Sequence, residues 1–203
     1  MSAFLGPIHF WLYNKIGKQE ELTKAIAAYA ERTGWIQEQK KYTKELPSLE
    51  SVIDESNIHG WLQGQIHDAE IRYANLIGSI MNGERSEVIK KTAFDFGKEN
   101  AIAPSASPAE AYKAFEDFFV NGMPCNRVNV IVSESDEELI WQMTQDIHAQ
   151  YWDNNPAIYY SLRNEIMRGM LVETGLVLET RDNTVYTIKK NNNEINLRRK
   201  QNG

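Results

Sequence analysis

From the cap offered by Ser48 to the stop at Asn82-Gly83, Ile58, Leu62, Ile66, Tyr73, Ile77 and Ile80 recur at helical spacing. This stripe constrains the fold more than any other feature, because a period of 3.6 residues buries one face of a helix and cannot be laid out as a strand of period 2. It predicts one long helix, with Gly83 supplying the left-handed stop.

Other segments follow the same pattern. Pro7, behind Gly6, starts a helix in which His9, Leu12, Tyr13, Ile16 and Glu20 share a face, since proline is suited to the first helical position. Gly17 predicts a bend there, or a partner that wraps around the helix. Leu22, Ala25, Ile26, Tyr29 and Ala30 continue on a rotated face as far as Thr33-Gly34. A third helix is expected over 86–100, and a fourth from the Ser107 cap and Pro108, with the aromatic stripe Tyr112, Phe115, Phe118 and Phe119. Another begins after Asn155-Pro156 and carries Tyr159, Leu162, Ile166 and Met170.

Residues 127–132 alternate as a strand does. Beyond them, 139–144 pairs back as a hairpin, or Ser135 and Glu138 form a capping box that opens a helix; Ile140, Met143, Ile147 and Tyr151 favour the helix. Residues 176–180 and 184–189 flank Arg181-Asp182-Asn183, which reads as a hairpin. The expected fold is mainly α: a bundle of four or more helices with a small C-terminal β-hairpin at 176–189, one domain over 1–190, and a polar, disordered tail over 191–203.

Composition narrows the function. A net charge of -6 argues against nucleic acid as a partner. The apolar run 3–13 is broken by Pro7 and His9 and lacks a signal peptide's flanks, and no stretch reaches the roughly 20 apolar residues of a membrane span. Cys125 is the single cysteine, so no internal disulfide forms. A cytoplasmic location and no membrane partner are expected. Five tryptophans and nine tyrosines make a homodimer plausible.

His9 precedes Glu20 by eleven residues, and His59 precedes Glu70 by the same interval. Eleven residues make about three turns, so each pair shares a face but spans roughly 16 Å, too far for one site. Gln63 and His67 extend the second pair into a row at the edge of the core face. If the two helices packed antiparallel, His9 would meet His67 and Glu70, a two-histidine, one-carboxylate set suited to iron and also to zinc. The expected site therefore takes His9, His59, His67 and Glu70 as ligands of a divalent metal (iron, zinc or manganese) or contacts of a small molecule, with Glu20 as general base. His67-Asp-Ala-Glu70 reverses the Glu-x-x-His order of carboxylate-bridged di-iron bundles, so no family resemblance follows. The rival readings are a noncatalytic interaction protein with purely structural histidines and glutamates, and a hydrolase using Cys125 with His148 as its base.

Overall fold

The computed structural model describes residues 5–153 and 156–191. Helix α1 (Pro7–Arg32) runs unbroken through Gly17. Helix α2 (Leu49–Val52) is one turn, and the long helix α3 (Ile58–Ile80) starts only at Ile58. Ser48 therefore opens a single turn. The side chain that caps α3 is Asn57, whose oxygen accepts from the Gly60 backbone N–H at 3.2 Å.

Helices α1 and α3 run parallel, and the segment between them explains why. It turns back along α1: the Gln39 N–H donates to Glu31 (2.9 Å), Glu45 meets Lys24 (2.6 Å), and Pro47 accepts from the Tyr13 hydroxyl (2.9 Å). The chain thus reaches the start of α1 before α3 begins. His59 then lies beside His9, Trp61 beside Tyr13, and Arg72 beside Glu20.

Helices α4 (Ser86–Glu99), α5 (Pro108–Phe118) and α6 (Ala157–Met170) complete the helical layer. Ser107 and Glu110 cap α5 reciprocally, at 3.2 Å and 2.8 Å. Helices α4 and α6 cross at Gly97 and Gly169: a Cβ on either would lie 2.1 Å from a carbonyl oxygen of the opposite helix. Only glycine permits that approach.

The β structure is larger than the expected hairpin. Strands β1 (Asn129–Glu134), β2 (Glu138–Met143), β3 (Leu176–Arg181) and β4 (Val185–Lys190) form one antiparallel sheet in the order β1-β2-β4-β3. The helix expected from Ser135 onward does not form. Ser135 instead closes a hairpin turn, its Oγ accepting from the backbone N–H groups of Glu137 and Glu138 at 3.3 Å and 3.1 Å. The same hydroxyl that would cap a helix caps this turn. Period 2 then decides, since Leu139, Trp141 and Met143 are all buried. The C-terminal hairpin forms as expected, with Asp182 and Asn183 at positive φ in its turn. Of the expected tail, 192–203 lie outside the described residues.

The inner face of the sheet packs on α5. Trp141 stacks on its cross-strand partner Tyr186 at 4.9 Å and meets Phe115 and Tyr112 of the helix. One hydrophobic cluster joins Leu22 of α1, Tyr73 of α3, Phe96 of α4, Phe115 of α5, Ile166 of α6 and Ile188 of β4. No helix among the described residues is long and apolar enough to cross a membrane.

Candidate functional site

The parallel packing of α1 and α3 separates the residues expected to converge. His9 sits at the same end as His59, ring centroids 5.6 Å apart, while Glu70 lies eleven residues further along, roughly 16 Å away. His9 occupies the third position of α1, where its Nδ1 accepts from the Gly6 N–H at 2.9 Å. A neutral ring held this way carries its proton on Nε2. His67 is exposed and meets Tyr151 edge-on at 5.4 Å. Glu20 is buried and paired with Arg72. Among the described residues there is no group of three or more His, Cys, Asp or Glu side chains that could hold a metal ion. Cys125 is exposed, whereas the described partners of the His148 ring are Glu70, Tyr159 and Tyr160.

What the structure does assemble is a buried polar seam between α1, α3, α5 and α6. On one side Glu70 and His148, each 1% exposed, meet at 3.1 Å through Oε1 and Nδ1. Asp146 aims the histidine inward by accepting from the N–H groups of His148 and Ala149 and from the Tyr160 hydroxyl, at 2.8, 3.1 and 2.9 Å. The imidazole stacks on Tyr159 at 3.9 Å. Glu70 Oε2, His148 Nε2 and Trp152 Nε1 are buried without a hydrogen-bond partner.

Arg163 holds the other side. One turn of α6 beyond Tyr159, it is 4% exposed, donates from Nη1 to Asn121 Oδ1 at 3.0 Å and lies over the Phe119 ring at 4.7 Å. It makes no ion pair among the described residues. Burial works against its charge, but Tyr159, Tyr186 and Glu116 outweigh that, and the guanidinium stays protonated. Lys15 is a second buried cation, 2% exposed, with its ammonium 4.0 Å from the Trp11 ring centre. Burial drops its pKa to about 8 against the opposing pull of Glu116, and the charge of Arg163 lowers it further. Both cations feel Glu116, which already accepts from Asn121 at 3.0 Å and Asn129 at 2.6 Å.

A small cavity lies where the two sides meet. It is lined by Lys18 and Gln19 of α1, Tyr73 of α3, and Tyr159 and Arg163 of α6, with Phe118 and Phe119 closing it. About 20 Å³ is open to the centre of a water-sized group, room for one. Gln19 Nε2, Tyr73 Oη and Arg163 Nε, carried by three of these residues, are buried polar atoms without a partner. All three can donate hydrogen bonds. Burial, with Glu70 adding to it, raises the Tyr73 pKa, so that phenol stays protonated and able to donate.

Of this site only Glu70, as a ligand, and His148, as a base for Cys125, were given roles from the sequence, and neither has the expected partner. Arg163 falls on the same face as Tyr159, Leu162 and Ile166, and that placement of a charge is its local signal. Lys15 stands off its helix's stripe next to Ile16, where a charged residue ordinarily marks the solvent side, and its local signal is Trp11 four positions earlier. Asp146, two residues before His148, is the local signal for the turn that aims that ring. No protein-family model matches the chain, and no curated protein and no solved structure matches it.

Proposed function

We propose that this chain binds a small organic anion whose carboxylate points one oxygen into the water-sized cavity beside Arg163, between α1, α3 and α6. The observation that carries the reading is a buried guanidinium with no ion-pair partner among the described residues, on a cavity lined by residues with unpaired donors. A buried charge is costly unless paired. Two buried cations depend here on one nearby carboxylate, Glu116, while Asp117 beside Lys15 is itself paired with Lys113 at 2.5 Å. The neighbourhood is therefore short of negative charge, and an anion complements it where a metal cation does not. Arginine's planar fork suits a carboxylate in particular. Lys18, 38% exposed and tied to Glu21 and Asn100, marks the side open to solvent, so the rest of the ligand extends that way.

Thermal melting of the whole chain in acetate, then in longer monocarboxylates, with chloride at matched ionic strength as control, tests this. A saturable rise is expected with a carboxylate, reaching about 2.7 kcal/mol of stabilisation at a hundredfold excess over Kd. It should vanish in Arg163→Met. A rise equal to that of chloride, or one unchanged in Arg163→Met, overturns the reading.

A further inference from the structure

The two edges of the sheet differ in a way the ligand site does not explain. The β3 edge carries the exposed charges Glu179 and Arg181, the usual protection of an open edge. The β1 edge carries a charge only at its last residue, Glu134; the run Val128-Asn-Val-Ile-Val-Ser133 before it has neither charge nor proline, and Val130, Ile131 and Val132 are 48%, 44% and 60% exposed. Residues Val130 to Glu134 are exposed throughout.

The hydrogen bonds show which backbone groups are open. The Thr144 N–H donates to Val128 O, and Asn129 pairs with Met143 and Val130 with Gln142 in register. Bonded and non-bonded pairs alternate in an antiparallel ladder, so Val128 and Val130 turn their backbone groups toward β2, and Asn129 and Ile131 turn theirs outward. The Met143 N–H, which donates to Thr184 O next to β4, confirms the phase. The register shift between Ile131 and Ser133 ends this run and sets Glu134 opposite Leu139.

We infer that β1 pairs antiparallel with β1 of a second copy, Asn129 opposite Ile131 and Val130 opposite Val130 on the two-fold axis, joining two sheets into one of eight strands. The segment is self-complementary: both outward residues meet outward residues, giving four backbone hydrogen bonds. Charge complements it as well. Arg127 at one end of the strand and Glu134 at the other are exposed and make no ion pair among the described residues, and the antiparallel arrangement brings each to the other's end.

Sedimentation velocity of the full chain across a range of concentrations, with Val130→Lys and Val130→Glu, tests this. The unaltered chain is expected to dimerise. Each variant alone should weaken association about tenfold or more, because residue 130 then faces its own like charge. Mixing the two variants should restore the dimer as a Lys–Glu heteropair. Circular dichroism melting reports whether each variant keeps its fold, and the mixed sample supplies a second readout that a folding defect would not produce. A chain monomeric at every concentration, variants that dimerise as well as the parent, or a mixture no better than its components overturns the inference.

Discussion

Arg163→Met separates a ligand-binding arginine from a structural one. The substitution keeps an unbranched side chain of similar reach and removes the charge. It forfeits the bond to Asn121, worth about 1.5–3 kcal/mol for a charged donor, and the interaction with Phe119, worth up to about 2 kcal/mol when desolvated. Against that stands the desolvation penalty of the guanidinium, several kcal/mol for a buried ion, which methionine does not incur. The two sides nearly cancel. Stability should therefore change by no more than about 2 kcal/mol, or roughly 4–8 °C in Tm for a chain of this size. Carboxylate affinity should meanwhile fall at least about thirtyfold, the consequence of losing some 2 kcal/mol or more of a buried charge pair. Urea unfolding gives the first quantity and calorimetric titration with acetate the second. A loss of more than about 4 kcal/mol of stability with carboxylate binding unaltered would refute the reasoning and make Arg163 a purely structural core residue.

Lys15→Met should flatten part of the pH dependence of stability. The folded-state pKa is about 8 against 10.5 for a free lysine, so between these values the unfolded chain binds the proton that the folded chain releases, and stability rises with pH. From pH 8 to 10 the rise amounts to about 2 kcal/mol, it should be missing in Lys15→Met, and urea titrations at several pH values measure it. Above about pH 10 the trend reverses, because burial raises the pKa values of Tyr73, Tyr159 and Tyr160 in the folded state. Glu70→Ala leaves the buried His148 Nδ1 without its carboxylate and should cost about 3 kcal/mol by chemical denaturation; a loss under about 1 kcal/mol would show that the pair contributes little. Gly169→Ala should lower Tm despite alanine's better helix propensity, because its Cβ would sit 2.1 Å from the Phe94 carbonyl oxygen and overpacking costs about 1–3 kcal/mol. Gly78→Ala, with nothing within 4 Å, should instead stabilise by up to about 1 kcal/mol, and melting curves of the two compare them directly.

Local chemistry explains where expectation and structure agree. Pro7, the Ser107–Glu110 capping box and the Asp182-Asn183 turn act within four residues of themselves, so α1, α5 and the β3–β4 hairpin begin or turn where their residues indicate. Ser135 shows the limit of such signals. Its hydroxyl satisfies backbone N–H groups equally well at a helix start and in a hairpin turn, and a partner strand β4, about forty-five residues on, selects the latter. Gly64 in α3 has nothing within 4 Å, and the close helix approach is made instead at Gly97 and Gly169.

The eleven-residue spacing of His9 with Glu20 and of His59 with Glu70 determined by itself that each pair lies along one helix face and that neither is a single site. Helix period and rise depend on the backbone alone. Which residues met across helices was decided only by tertiary structure, because the segment from Gln39 to Pro47 returns along α1 and makes α3 parallel to it. That one reversal of direction set His9 against His59, left Glu70 to His148, and gave the buried cavity to Arg163, a residue whose contacts Asn121 and Phe119 lie some forty residues earlier, just after α5.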